Sequence, residues 1–367
     1  MCAACGLAVL SMLLVPPDSR YLHYIDYRTL AILFCLMCVM AGLQRIGVFQ
    51  MVAKRLLLLV KNGRGLFWTL VLLCFFSGML ITNDVALIAF VPFTFTVFNL
   101  LGTKLRKRLL LPVVAMETIG ANLGSMLTPI GNPQNLYLYS KAGLSVGEFL
   151  LLMLPYTLLA LALLVGSGLL LGRLGSLRLR FRHNGAAAKA LELKGVLRPL
   201  LLYIVLFGLC LLTVGHILPW QLTLAAVAGA VLAADRRVLT QVDYMLLLTF
   251  VGFFIFIGNV GRIPVFCEFL QNIIGGREVF TAIIASQAIS NVPAALLLSG
   301  FTEDYAGLIV GVNLGGLGTL IASMASLISY KYVARELPQQ KSRYIGIFTG
   351  AGIVFLAALA GLNMLIG

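Results

Sequence analysis

The sequence predicts an all-α polytopic membrane protein. Of its 367 residues, 60% are hydrophobic and only 11% are charged, which is too little polar surface for a soluble chain of this length. Apolar runs of about 15 to 25 residues recur from end to end, and roughly 20 helical residues cross a bilayer core. Several runs are shorter than that, which indicates broken or re-entrant helices among the full spans.

The net charge of +14 does not indicate nucleic-acid binding, because the basic residues cluster between the spans. Five joints hold 21 of the 27 lysines and arginines, and the predicted threading places all five on one face. An excess of basic residues marks the cytoplasmic side. Both termini are predicted to lie outside a plasma membrane, most simply a bacterial inner membrane. The five joints are 54–64, 104–108, 173–198, 236–237 and 331–343.

The chain contains an internal duplication. Two segments recur at an offset of 217 residues, a third at 208 and a fourth at 191, all in the same order. Chance matches are common in apolar sequence, but an ordered series of four is not. In chain order, the matching segments are 18–27 with 235–244, 45–49 with 262–266, 82–84 with 290–292, and 121–124 with 312–315.

The coarse threading predicts that the two copies are inverted relative to each other. Each copy has an amphipathic segment, at 48–61 or 264–274, followed by a re-entrant hairpin, at 65–98 or 278–300. Because the hairpins enter and leave on one face, the second copy starts on the opposite side of the membrane, as in many secondary transporters. A helix at 199–216 has no counterpart in the first copy. The predicted spans are 1–15, 24–46, 108–140, 147–172, 199–216, 219–234, 241–260, 305–330 and 343–366.

Two carboxylic acids, Asp84 and Glu117, lie deep in apolar runs. An ionisable group at the bilayer centre costs about 2.5–3.5 kcal/mol on insertion scales. Such a group either takes up a proton or binds a cation. Both residues are therefore candidates for coupling transport to an ion gradient, and the structural alternative is a carboxyl hydrogen-bonded to neighbouring backbone.

The segment 120–135 cannot form one regular helix, because two prolines and three glycines interrupt it. Irregular backbone is tolerated in a membrane where it lines a cavity. Neutral oxygen donors there suit Na⁺, and half-helix N-termini suit an anion. A proline kink with packing glycines is the alternative. The candidate ligands here are Asn122, Ser125, Thr128, Gly131, Asn132, Gln134 and Asn135, with Thr82, Asn83, Asp84, Ser290 and Asn291 at the hairpin tips.

These motifs resemble the ion transporter superfamily, which includes arsenite permeases, citrate transporters and divalent-anion:sodium symporters. The resemblance rests on residues 76–92 and 122–135 and covers nearly the whole chain. It implies an elevator transporter that dimerises through a scaffold of residues 1–62 and 199–275. The moving transport domain would comprise 65–172 and 278–367, and 173–198 would be a cytoplasmic linker.

The same resemblance implies ligands for both solutes. It places a possible Na⁺ at Asn83, Thr128 and Asn132, and it extends the binding set in the second copy to Asn313, Thr319 and Ser323 in addition to the tip. In the dicarboxylate branch each tip reads Ser-Asn-Thr, whereas Asp84 and Val292 take the threonine positions here. The first tip is closer to the arsenite-permease branch.

Three classes of function compete at this point. The repeat, the tips and the broken helix favour a transporter of a small anion, either an organic carboxylate or an inorganic oxyanion. A Na⁺/H⁺ antiporter would instead use Asp84 and Glu117 as exchange sites. The sequence argues against an enzyme, because its three histidines are scattered and no nucleophile or metal motif accompanies them. No cofactor is expected beyond Na⁺ or H⁺ as the coupling ion.

The topology makes a direct prediction for the joint at 104–108. In an Arg106→Cys variant, the new thiol should resist a membrane-impermeant maleimide added from outside, because the joint is assigned to the cytoplasm. Ready labelling of intact cells at this position would contradict the inverted-hairpin scheme.

Overall fold

The computed structural model describes residues 2–58, 60, 62–101, 103–170 and 193–366, which fold almost entirely into helices. Within these residues, six helices are long and apolar enough to cross a membrane, and a further pair bent by 109° is a seventh candidate. The predicted all-α polytopic fold is therefore confirmed.

The helices of the described residues follow the predicted order of spans, amphipathic segments and hairpins. In chain order they are α1 (Cys2–Leu14), α2 (Tyr21–Tyr24), α3 (Tyr27–Ile46), α4 (Val48–Leu57), α5 (Gly63–Ile81), α6 (Asn83–Leu100), α7 (Thr103–Ser125), α8 (Pro133–Ala142), α9 (Val146–Leu170), α10 (Leu193–Val214), α11 (Trp220–Ala234), α12 (Tyr244–Val260), α13 (Pro264–Ile274), α14 (Glu278–Ile289), α15 (Asn291–Leu298), α16 (Tyr305–Gly315), α17 (Met324–Glu336) and α18 (Lys341–Ile366).

Several joints predicted as loops are helical. The basic stretch 104–108 forms the first turns of α7, Lys331 lies inside α17, and the last residues of the predicted linker 173–198 begin α10. Hydropathy marks only the part of a helix inside the hydrocarbon, and lysine and arginine continue a helix into the interface at little cost. Residues 171–192 of the linker lie outside the described residues.

The two copies share the same local geometry. Asp26 caps α3 by accepting a hydrogen bond from the backbone nitrogen of Thr29 at 3.0 Å. Asp243, 217 positions later, caps α12 in the same way through Leu246, also at 3.0 Å. A carboxylate that satisfies a free amide at a helix start stabilises that start.

Two ion pairs link the copies reciprocally. Arg45 bonds to Asp235 at 2.8 Å, and Arg262 bonds to Asp18 at 2.9 Å. Each arginine and each aspartate has its counterpart 217 positions away. One ion pair is therefore the equivalent of the other, with the contributions of the two copies exchanged. Although burial opposes it, the hydrogen bond from Arg262 lowers the pKa of Asp18.

The helix packing exchanges in the same manner. The first helix of each copy packs on the second span of the other, α1 on α12 and α11 on α3. The hairpins and broken helices pack in the same reciprocal way, α6 against α17 and α15 against α8. This reciprocity supports the predicted duplication. The inversion of the copies relative to a membrane stays a prediction.

The fold bears on one part of the predicted topology, the position of the N-terminus relative to α12. Ala4 lies against Gly252, and Ser11 accepts a hydrogen bond from Asn259 at 3.0 Å, so α1 runs parallel to α12. The end of α12 near Arg262 was assigned to the outside. Residue 2 therefore lies at the opposite end, which the charge pattern assigns to the cytoplasm. The expectation of an external N-terminus is inconsistent with the remainder of the threading.

Glycines allow each hairpin to approach its broken helix closely. A Cβ on Gly124 would stand 1.8 Å from the carbonyl oxygen of Phe75, which joins α7 to α5. At the equivalent crossing of α16 and α14, a Cβ on Gly311 would stand 2.7 Å from the carbonyl oxygen of Val279. The packing role considered for these glycines is thus present alongside the polar residues, which have separate partners.

Gly124→Ala should destabilise the protein strongly, because the added methyl meets a backbone carbonyl that cannot rotate away. Overpacking of a tight core costs about 1–3 kcal/mol, and a contact with backbone belongs at the upper end of that range. The measurement is the apparent unfolding temperature in detergent. The control is Gly166→Ala in α9, where no atom lies within 4 Å of the new methyl. Equal unfolding temperatures for the two variants would contradict the close crossing.

Candidate functional site

Each hairpin turns at a single residue in the same unusual conformation. Thr82 has φ 71° and ψ 149°, and Ser290 has φ 75° and ψ 152°. Residues other than glycine rarely adopt a positive φ, and where they do, the surrounding structure holds the backbone in that conformation. The next residue in each copy is an asparagine whose backbone nitrogen bonds to the broken helix, Asn83 to Gly131 at 3.1 Å and Asn291 to Ala322 at 2.9 Å.

The broken helices separate into two half-helices, as predicted. In the first copy α7 ends at Ser125 and α8 begins at Pro133, with Asn132 capping α8 through the backbone nitrogen of Asn135 at 3.0 Å. In the second copy α16 ends at Gly315 and α17 begins at Met324. The second break lacks a Gly-Asn-Pro sequence, yet it has the same architecture.

Asn122, near the end of α7, contacts the other copy at the start of α17. The hydroxyl of Ser323 donates to its side-chain oxygen at 3.0 Å, and its own amide donates to Ser326 at 3.3 Å. Asn83 at the first tip donates to the same oxygen at 2.9 Å. One buried asparagine thus joins the first tip to the second broken helix.

Asn313 is the residue of α16 that is equivalent to Asn122. It makes the equivalent contacts with the copies exchanged, because its partners lie at the start of α8 in the first copy. Asn132 donates to its side-chain oxygen at 3.2 Å, and its amide donates to Asn135 at 2.6 Å. Asn132 also donates to the hydroxyl of Ser125 at 3.2 Å. The structure therefore brings together most of the predicted site residues in one buried network, and the two halves of that network are related by the duplication.

The carbonyls freed at the breaks are satisfied by side-chain amides. In the first copy the Asn135 amide donates to the carbonyls of Ser125, Met126 and Thr128 at 3.2–3.4 Å. In the second copy Gln287 performs this task, donating to Gly315 and Leu317 at 2.8 Å each. Sequence reasoning missed Gln287, and the signal was an amide in an apolar helix three residues before the tip.

The three predicted Na⁺ ligands each use their side chain in a hydrogen bond. The oxygen of Asn83 accepts from the backbone nitrogen of Asp84 at 2.9 Å, and the hydroxyl of Thr128 donates to the carbonyl of Met79 at 2.5 Å. The oxygen of Asn132 is the helix cap. Each oxygen retains a second lone pair for a cation.

Near the tips and the breaks, three other residues have side-chain groups without a hydrogen-bond partner in the part of the chain that the structure describes. Among the described residues, the buried hydroxyl oxygens of Ser290 and Thr319 and the amide of Gln134 make no hydrogen bond. Buried polar groups are normally paired, so unpaired ones at a break are available to a ligand or water. These groups lie at the second tip, in the second break and at the start of α8.

A cavity of about 390 Å³ lies between the first tip and the scaffold helices α3 and α12. Thr82, Asp84 and Asn132 form part of its wall, and Asp243 and Lys331 lie elsewhere on it. The wall that α3 contributes is largely apolar. The first tip and the start of α8 are therefore accessible from this cavity.

The carboxylate of Asp84 has no hydrogen-bond or ion-pair partner among the described residues. It lies in the first turn of α6, where the helix dipole favours a negative charge. The cap of α6 is supplied instead by the hydroxyl of Thr82, which accepts from Val85 at 3.5 Å. The capping role considered for Asp84 is thus filled by another residue.

Glu117 occupies a different place. It is fully buried between α7 and α6, where the hydroxyl of Thr94 donates to one of its oxygens at 2.5 Å. The other oxygen has no partner among the described residues. Glu117 does not line the cavity that contains Asp84.

Comparisons with known proteins agree with this architecture. A family model described as citrate transporter matches residues 1–306. An uncharacterized transporter of Methanocaldococcus jannaschii is 30% identical over 326 residues, covering 89% of this chain and 86% of that protein. The inner membrane protein YbiR of Escherichia coli is 33% identical over 310 residues, covering 84% and 80% respectively.

A more distant match is the silicon efflux transporter of Oryza sativa subsp. japonica, 31% identical over 155 residues, which are 42% of this chain and 30% of that protein. The resemblance to the ion transporter superfamily is therefore confirmed. Together, the family match, the relatives and the apolar helices show that this chain belongs to the citrate transporter family and is a multi-pass membrane transporter.

Proposed function

We propose that this protein is a secondary active transporter that moves a small anion across the plasma membrane, coupled to Na⁺ or H⁺. The anion would be an organic carboxylate such as citrate or a dicarboxylate, or an inorganic oxyanion or arsenite-like species. The observation that carries the proposal is the cavity in which the unpaired carboxylate of Asp84 lies beside the helix start at Asn132.

The dimensions and chemistry of the cavity favour a small anion. Its volume of about 390 Å³ lies at the lower end of the roughly 300–1,000 Å³ typical of ligand pockets. The N-terminus of α8 offers a partial positive charge, and Lys331 offers a full one. The rice relative, a silicon efflux transporter, extends the class of candidate substrates to silicon compounds.

The charges on the cavity wall account for coupling. Asp84 and Asp243 are both acidic and Lys331 is basic, so the wall is net negative when all three are ionised. An anion would be repelled unless a proton or cation first neutralised a carboxylate. Asp243 is already engaged as the cap of α12, which leaves Asp84 as the group that binds the coupling ion.

The distribution of polar contacts supports an elevator movement. The network around Asn122 and Asn313 binds the hairpins and broken helices of both copies into one body. The scaffold faces that body with apolar side chains such as Leu36 and Met40 of α3, and a hydrogen bond from the hydroxyl of Tyr139 to the carbonyl of Val214 at 3.0 Å also crosses between them. Among the described residues, no ion pair joins the two parts. Two apolar surfaces can slide past each other with the loss of fewer hydrogen bonds and ion pairs than two polar surfaces.

The cavity lies next to the predicted cytoplasmic joints. Gln44 near the end of α3, Gln241 shortly before α12 and Lys331 in the joint 331–343 are on its wall. The arrangement corresponds to an inward-facing state. The N-terminus would be cytoplasmic and the C-terminus external, and two scaffolds would form a homodimer.

A Na⁺/H⁺ antiporter is the second candidate, and one observation favours it. Asp84 and Glu117 both lie within apolar surroundings without an ionic partner among the described residues, as exchange sites for cations require. An antiporter would work without any anion. Ion flux in proteoliposomes without added anion separates the two functions.

Asn83→Ala and Asn291→Ala should each abolish transport while the protein remains folded. Asn83→Ala removes the donor to Asn122 and the acceptor for the Asp84 nitrogen, at about 1–3 kcal/mol, and Asn291→Ala removes the equivalent side-chain amide of the second tip. The measurement is a counterflow screen of anions in proteoliposomes. The control is Asn363→Ala near the end of α18, where the lost hydrogen bond to Tyr156 is remote from the cavity. Near-normal transport by either tip variant would move the site elsewhere.

Asp84→Asn should eliminate the dependence of transport on the driving ion gradient, because an amide cannot release a proton or balance a cation. Thermal stability should stay close to that of the wild type, since Asp84 has no partner to lose and Thr82 supplies the cap. Accumulation of substrate is measured with imposed Na⁺ or pH gradients.

The matched control is Asp243→Asn on the same cavity wall, where the amide oxygen keeps the cap of α12. This variant should retain gradient-driven accumulation. If Asp84→Asn still concentrates substrate against its gradient, the coupling role is wrong.

A further inference from the structure

A second cavity, of about 520 Å³, lies at one end of the scaffold, between the end of α3, the start of α10 and the end of α11. Its polar wall consists of Arg45, Arg198, Tyr203 and Asp235. None of these residues belongs to the cavity that contains Asp84. We name this feature the α10 groove.

The α10 groove offers hydrogen-bond donors that the protein itself does not satisfy. Arg198 is exposed and has no partner among the described residues, and the hydroxyl oxygen of Tyr203 is buried without a partner there. Arg45 bonds to Asp235 through one nitrogen at 2.8 Å, which leaves its other donors free. Asp235 is the one acidic side chain on the wall.

The equivalent ion pair in the other copy has an additional partner. There Arg262 bonds to Asp18 at 2.9 Å and also to the hydroxyl of Tyr24 at 3.3 Å, so a tyrosine completes the ion pair. At the α10 groove Tyr203 packs its ring against Gly42, but its hydroxyl meets no partner. The open site exists because α10 is the helix without a counterpart in the first copy.

The surroundings of the groove indicate a membrane interface. Leu197 and Leu201 of α10 and Leu232 of α11 are 48%, 52% and 48% exposed, as side chains facing acyl chains would be. The groove lies at the end of the scaffold next to the basic joints, which are predicted to be cytoplasmic. Basic pockets between helices on this side suit anionic lipid headgroups.

We propose that the α10 groove binds the phosphate of an anionic phospholipid from the cytoplasmic leaflet. Arg198 and the free donors of Arg45 face the phosphate oxygens, and the hydroxyl of Tyr203 donates to them. The acyl chains lie along Ile46 and Leu202. The bound lipid holds α10 against α3. This inference concerns the scaffold and does not rest on the proposed substrate or coupling ion.

The test is native mass spectrometry of the delipidated full-length protein with phosphatidylglycerol or phosphatidylcholine added. Wild type should retain phosphatidylglycerol preferentially. Arg198→Gln should weaken its binding about five-fold, the effect of roughly one basic contact. Tyr203→Phe keeps the ring on Gly42 and should weaken binding severalfold without changing the unfolding temperature of the lipid-free protein.

The control is Tyr24→Phe beside the equivalent ion pair of the other copy, where the tyrosine hydroxyl already accepts from Arg262, and this change should leave lipid binding unchanged. Equal retention of the two lipids by wild type, or wild-type binding by both groove variants, would overturn the proposal. Displacement of phosphatidylglycerol by inorganic phosphate would assign the groove to a soluble phosphate instead, and a second protomer that protects the groove in place of lipid would also contradict it.

Discussion

The fold depends on one constraint, which is that backbone groups released inside a bilayer must find partners within the protein. Breaking two spans releases carbonyls at Ser125 and at Gly315, and an unsatisfied polar group in hydrocarbon costs several kcal/mol. Asn135 and Gln287 supply amides that satisfy them. These amides hold the broken segments in place. The ends of the half-helices therefore lie close together, and the hairpin tips bond to the broken segments.

Duplication explains why the two copies solve this problem with different residues. A repeated fold needs a polar group at a given place, but it does not need that group to come from one helix. The first break is stabilised from α8 and the second from α14, while Asn122 and Asn313 keep identical roles in both. The tips also differ at one position, where Asp84 in the first copy corresponds to Val292 in the second, and this asymmetry gives the first tip a carboxyl that the second tip lacks.

Much of this arrangement was predictable from the sequence. The remainder was not predictable, and the reasons are physical. Hydropathy and the Gly-Asn-Pro break located the helices, the hairpins and the asparagines, because burial and helix breaking act locally. The hydrogen bonds that Ser323 donates to Asn122 and that Asn132 donates to Asn313 join residues that are 201 and 181 positions apart, and no local pattern encodes them. Ser326 was missed for the same reason. The side of the N-terminus stays a prediction, because topology depends on a count of crossings in which one error inverts the end.

The different surroundings of the two buried acids bear on which of them could take part in the proposed ion coupling. Glu117 is enclosed within the body formed by the hairpins and broken helices, and a hydroxyl holds it there. In the proposed elevator movement, a group in that position would be enclosed throughout and would meet neither solvent nor substrate. Asp84 lies at the boundary between that body and the scaffold, on the wall of a cavity. An ion that must enter from one side and leave on the other needs a ligand whose access changes with the movement, and of these two acids only Asp84 occupies such a place.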